Sequence, residues 1–171
     1  MAEPAIHVDA GASAGLVAID VQAWGCDALS FGGGSLFGPR WSGGLWVREG
    51  TRLHPLLDGG LQEAGKRAGA HDMPGIVGLG AAAAIARGEG ADRAQRMSAG
   101  AGRLIDALLQ VEGVRLNGPR DRRLPGHVQV AIDGVEGEAV TLLMAARGVA
   151  CAPGSACSAA GKSSPVLEAI G

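Results

Sequence analysis

The sequence contains no tyrosine, and its few phenylalanines and tryptophans make up only 3% of the residues. Whatever core it builds must therefore be aliphatic. Lysine is nearly as scarce: Lys66 and Lys162 are the two lysines among 15 basic side chains. Three cysteines, Cys26, Cys151 and Cys157, are an odd number without the close pairing of a zinc site. That excludes a disulfide framework and makes a reducing cytosol the natural compartment. Charge is nearly balanced at −2, so nothing electrostatic argues for nucleic acid or an anionic membrane as partner. No apolar run approaches the roughly 20 residues that span a bilayer. The opening residues lack the charged and apolar regions of a signal peptide. What the chain does have is glycine, 30 of 171 residues, against a usual share of about 7%. It is also 47% hydrophobic and 19% charged, enough to bury a core.

Apolar segments and glycine turns alternate along the chain. Ala5 to Asp9 reads as a short strand ending on a carboxylate. Asp20 is placed to cap a short helix through Trp24, stopped by Gly25. Asp27 to Phe31 and Gly44 to Arg48 read as the next two strands, a rhythm that predicts an α/β sheet. A polar, glycine-rich loop occupies 58–69 and is too irregular for a helix. Helical spacing over 75–111 predicts two helices with a break near Gly88-Glu89-Gly90. Then come a short strand at Val114 to Leu116, a period-two strand at His127 to Ile132, and a helix at Glu136 to Arg147. Gly148 should end that helix, with a strand starting at Val149-Ala150-Cys151. The proline- and arginine-rich stretch 118–125 reads as a solvated linker.

The chemistry belongs in Leu29–Arg48, where an apolar strand opens into Gly32-Gly33-Gly34-Ser35 and Gly38-Pro39-Arg40. A glycine loop lets backbone N–H groups approach a ligand at a sheet edge. A hairpin-like connection with a flexible tip would use the same residues. A second candidate is Cys157, in Gly154-Ser155-Ala156-Cys157-Ser158: a loop thiol among small residues is accessible enough to act as a nucleophile. An inert turn cysteine is the alternative. Asp9 at a strand end could orient a protonated nitrogen or could be an ordinary turn residue. The four histidines are scattered, with no pair at metal-ligand spacing. A triad of Ser35, His127 and Asp9 can be written, but no G-x-S-x-G surrounds Ser35.

The order of these segments resembles the cysteine desulfurases, fold-type I enzymes of the class V aminotransferase group. The resemblance runs through HVDA, then CDALSF, FGPRWSGGLWVREGT, GGLQEAGKRAG, PGIVGLG and on to GVACAPGSACS and VLEAIG. It implies an α/β fold: a partial large, cofactor-binding domain over 1–117 and a partial small domain over 118–171 carrying the Cys157 loop. It implies pyridoxal 5′-phosphate, held as a Schiff base on a lysine and acting as an electron sink. It also implies L-cysteine as substrate, a sulfur acceptor or scaffold protein, iron–sulfur cluster assembly, and a homodimer or hetero-partner. By the same resemblance Asp9 pairs with the pyridine nitrogen, Cys157 carries the persulfide, and Arg67 is the arginine of the glycine-rich loop.

Several positions depart from the family pattern. Where relatives carry Ser-x-His-Lys, this chain has Gly32, Gly33, Gly34 and Ser35. The Schiff-base lysine is thus Ser35, whose hydroxyl cannot form an aldimine, and Lys66 and Lys162 lie in other segments. The cofactor-contacting glutamine is Ala12, and the loop threonine that reaches the partner subunit's cofactor phosphate is Ala70. The segments preceding HVDA and following VLEAIG in relatives have no counterpart here. The expectation is a degenerate or partial desulfurase that is inactive alone. The alternative is a non-catalytic interaction or persulfide-acceptor module.

Overall fold

The computed structural model describes residues 4–154 and 164–170. Two compact units, Met1–Ser98 and Ala99–Gly171, make up the chain. In the first, strands β1 (His7–Asp9), β2 (Ala28–Gly32) and β3 (Gly43–Val47) form a sheet in the order β1-β2-β3. β1 runs parallel to β2 with Asp9 beside Ser30, and β3 returns antiparallel with Gly32 opposite Gly43. The apolar stretches bounded by glycine thus become the strands that alternation predicts, and the resulting fold is α/β.

Between β1 and β2 the chain makes turns rather than a helix. Asp20 does cap: its Oδ1 accepts from the N–H groups of Gln22 and Ala23 at 2.9 and 3.0 Å. But Gly25, at φ 66°, leaves the helical region after one turn, so the helix expected from Asp20 to Trp24 does not propagate. At the opposite end of the sheet from Asp9, Arg48 ties the strands together. It donates to Cys26 O from Nε and Nη2 at 3.1 and 2.7 Å and pairs with Asp27 at 3.2 Å.

Helix α1 (Met73–Leu108) is one continuous element of 36 residues, which corrects the expected break near Gly88-Glu89-Gly90. The cause lies in packing. A Cβ at Gly90 would stand 2.7 Å from the carbonyl oxygen of Gly15. Glycine is there because a turn of the chain crosses the helix closely, not because the helix ends.

Two small core clusters hold the first unit. Ala14, Leu36, Ala82 and Ala86 join the turn after β2 to α1. Ala10, Cys26 and Leu29 pack beneath β1 and β2, with Val8, Phe31 and Trp46 at their margin. They are small and aliphatic, as the shortage of aromatics requires. Much apolar surface stays uncovered: Trp41 is 97% exposed, Leu56 96% and Phe37 81%.

The second unit holds β4 (Val114–Leu116) paired antiparallel with β5 (Val130–Ile132), then α2 (Gly137–Ala145) and α3 (Pro165–Ile170). β5 is the second half of the alternating run from His127. The loop between the two strands is knit by Arg123, which donates to the carbonyls of Pro119, Asn117, Gly118 and His127. Gly148, at φ 77°, ends α2 as expected, and Val149 N–H closes on Met144 O at 2.9 Å. The strand expected from Val149 to Cys151 does not form: among the described residues that segment has no ladder partner and is irregular. Among the described residues, no helix is long and apolar enough to cross a membrane.

Candidate functional site

The parallel register of β1 and β2 carries Asp9, Ser30 and the Gly32–Ser35 turn to one end of the sheet. β3 starts at the same end, opposite Gly32. The carboxyl ends of parallel strands in an open α/β sheet are where ligands settle, because loops there can diverge. Sequence reasoning singled out Asp9 and Ser35, and the strand pairing places both at this end.

The side chains at this end bond chiefly to the local backbone. Asp9 Oδ1 accepts from Gly11 N–H at 2.8 Å, an Asx turn that closes the strand. Ala10 N–H extends the ladder to Ser30 O at 2.7 Å. His7 Nε2 lies 3.0 Å from Ser30 Oγ. This last contact was missed from sequence. His7 and Ser30 become neighbours only once the register of two parallel strands is known.

Gly33–Leu36 forms a single 3₁₀ turn. Ser35 Oγ donates back to Gly32 O at 2.7 Å. Gly33 N–H donates to Ser42 O at 2.7 Å, and Gly38 N–H to Gly33 O at 2.8 Å. Ser42 Oγ closes on Pro39 O at 2.7 Å. A Cβ at Gly33 would overlap both Ser42 Oγ and Pro39 O, so the crossing admits only glycine there. Leu36 is 7% exposed and anchors the turn against Ala82 and Ala86 of α1. Phe37 follows at φ 59°, and Arg93 stacks over its ring at 4.9 Å. Backbone bonds span the turn and a buried leucine anchors it.

The glycine-rich loop shares a cavity with Ser42, Gly43 and Gly44 at the start of β3. Gln62–Gly65 makes a 3₁₀ turn, with Glu63 and Ala64 at φ 52° and 54°. His71 Nε2 stands 3.2 Å from Glu63 Oε1, and Asp72 Oδ1 accepts from Gly75 N–H in the first turn of α1. Lys66 and Arg67 line a cavity of about 890 Å³ whose apolar wall includes Leu45, Val47 and Ile76. Arg67 Nη1 itself donates to Ala68 O at 3.1 Å. A second cavity, of about 680 Å³, is apolar and opens between the sheet and α1 over Val17, Ile19, Phe31, Trp46, Ala83 and Ala86.

Of the cysteines, Cys26 is fully buried, its Sγ 3.8 Å from Val21 O, and serves packing. Cys151 is exposed and free. Cys157 lies outside the described residues. No group of histidine, cysteine, aspartate or glutamate among the described residues could hold a metal ion.

The comparisons with known proteins agree with this architecture. Cysteine desulfurase IscS 1 of Archaeoglobus fulgidus is 42% identical over 154 residues, which is 90% of this chain and 40% of that protein. Cysteine desulfurase IscS of Methanosarcina thermophila is 40% identical over 166 residues, 96% of this chain and 41% of that one. Among solved structures, a NifS-like protein superposes with a TM-score of 0.78 at 29% identity, covering 85% of this chain and 40% of that one. A NifS-like protein from Rickettsia africae shares the fold, with a TM-score of 0.81 at 21% identity. The chain thus spans about 40% of the length of the curated relatives it matches. The family described as aminotransferase class-V matches residues 2–170, and over that span this chain belongs to it.

Proposed function

We propose that this chain works in sulfur transfer: a cysteine-desulfurase-like polypeptide that keeps the sulfur-accepting cysteine and has lost the means to hold pyridoxal phosphate covalently. The observation that carries this reading is the Gly33–Leu36 turn. Position 35 presents a hydroxyl bound to Gly32 O at 2.7 Å and not an amine. Lys66, the one lysine among the described residues, belongs to the 62–72 segment and lines a cavity with Ser42 and Gly43 that Ser35 does not line. The residues therefore do not fit a Schiff-base cofactor, and no step is routed through one. Asp9 occupies the position of the carboxylate that pairs with the pyridine nitrogen in relatives.

The sulfur step needs only Cys157. Its thiolate attacks the outer sulfur of a donor persulfide, the donor's S–S bond breaks, and a new S–S bond forms at Cys157. The donor leaves as a thiolate and no net oxidation occurs. In a complete desulfurase the donated sulfur comes from L-cysteine. Here it would come from an active desulfurase acting as partner, and pass to an acceptor or scaffold protein of iron–sulfur assembly.

A second reading, as an interaction module that binds a full-length desulfurase, a scaffold or a second copy of itself, is favoured by the uncovered Phe37, Trp41, Leu56 and Leu61. Incubation with pyridoxal phosphate and L-cysteine tests the first part of the proposal: neither an aldimine absorbance nor release of sulfide and alanine is expected. Incubation with an active desulfurase and cysteine, followed by mass spectrometry, tests the second. The peptide carrying Cys157 should gain one sulfur atom. Alanine production by the chain alone would refute the loss of the cofactor. An unmodified Cys157 would leave the interaction module as the reading.

A further inference from the structure

The loss at position 35 extends beyond a missing amine. We infer that the whole sheet end has become a cofactor-independent turn, locked by Ser35, that no longer binds pyridoxal phosphate even reversibly. This rests on the reading that position 35 is the family's lysine position, but not on any role of Cys157. The side chains gathered there make their hydrogen bonds to the protein itself. Ser35 Oγ donates to Gly32 O, Ser42 Oγ donates to Pro39 O, and His7 faces Ser30. The N–H groups of Gly33 and Gly38 are taken up by Ser42 O and Gly33 O. Asp9 Oδ1 is occupied by Gly11 N–H, which leaves Oδ2 as the one acidic oxygen open to a ring nitrogen. Position 12, where relatives offer a glutamine to the ring, is alanine. A single contact from Asp9 does not offset the freedom a ligand loses on binding.

The lock makes its own prediction. The Ser35 hydroxyl reaches back three residues to Gly32 O, the carbonyl that caps the 3₁₀ turn, so it stiffens the turn from within. Removing it should loosen the turn that seats Leu36 among Ala14, Ala82 and Ala86.

The experiment has two arms on the full chain. In the first, calorimetric titration with pyridoxine phosphate, which has no aldehyde, should give no saturable heat at millimolar concentration. Pyridoxal phosphate followed by borohydride and peptide mapping should give adducts scattered over Lys66, Lys162 and the amino terminus, at the rate of free lysine. Saturable pyridoxine phosphate binding that Asp9→Asn weakens, or a stoichiometric adduct at one site, would overturn the inference. Either could coexist with a sulfur adduct on Cys157, so the two readings fail separately. In the second arm, Ser35→Ala should lower Tm by about 2–4 °C, the shift expected from one lost hydrogen bond in a chain of this size. Ser35→Thr, which restores a hydroxyl, should recover most of it. An unchanged Tm in Ser35→Ala would show that Ser35 locks nothing.

Discussion

Replacing Gly88 by alanine should stabilise the chain, and replacing Gly90, two residues on, should destabilise it. Both lie inside α1, where alanine is favoured over glycine by about 1 kcal/mol because it restricts the unfolded backbone. Gly88 has nothing within 4 Å of the place a Cβ would occupy, so Gly88→Ala keeps that gain. At Gly90 the new Cβ would sit 2.7 Å from Gly15 O. That neighbour is backbone and cannot rotate away. Relief requires the turn at Gly15 to move off the helix, and Gly15 is itself fixed at φ 80° with its own Cβ position 2.9 Å from Leu36. Overpacking of this kind costs about 1–3 kcal/mol. Net of propensity, Gly90→Ala should lose about 0–2 kcal/mol, and the two variants should differ by about 1–3 kcal/mol. For a chain of this size that separation is about 2–12 °C in Tm. Thermal unfolding followed by circular dichroism, with urea unfolding as a check, measures it. Equal stabilisation by both substitutions would refute the close crossing. It would leave the uninterrupted helix without its explanation.

Gly33→Ala should destabilise by about 1–3 kcal/mol, because its Cβ would overlap Ser42 Oγ and Pro39 O; urea unfolding measures the loss. Leu36→Ala should cost about 2–3 kcal/mol, the low end of the large-to-small range, because the site borders an open apolar cavity that limits trapped void. A loss above that range in the same assay would show the cavity to be closed in solution. Arg48→Met should cost about 1–3 kcal/mol by orphaning Cys26 O, which receives two guanidinium bonds. Hydrogen exchange at the first residues of β1 and β2 should quicken with it.

Much of the first unit could be read from the sequence because its strands are apolar stretches bounded by glycine. The runs from Ala5, Asp27 and Gly44 each became a strand within a residue or two of the expected bounds. The helix through Glu136 and its stop at Gly148 followed from spacing and from glycine's access to positive φ. The break in α1 misled for a physical reason. A glycine pair inside a helical pattern marks a terminus when it supplies positive φ, and a close approach when it supplies only absence of Cβ. Sequence does not distinguish the two. Val149-Ala150-Cys151 failed differently: a strand is stabilised by its neighbour, and no neighbour follows from local composition.

The site divides along the same line. Asp9 and the loop holding Ser35 were recognisable as residues, since a carboxylate at a strand end and a run of glycines carry their chemistry locally. What they do with those groups was not. The Ser35 bond to Gly32 O depends on the 3₁₀ turn, and the His7–Ser30 contact depends on the parallel register. At this sheet end the hydrogen bonds therefore turn inward. The serine at position 35 closes on the turn's own carbonyl. Alanine at the same position would remove the bond to Gly32 O and threonine would keep a hydroxyl for it, which is why the two substitutions at Ser35 separate a structural replacement from a merely neutral one.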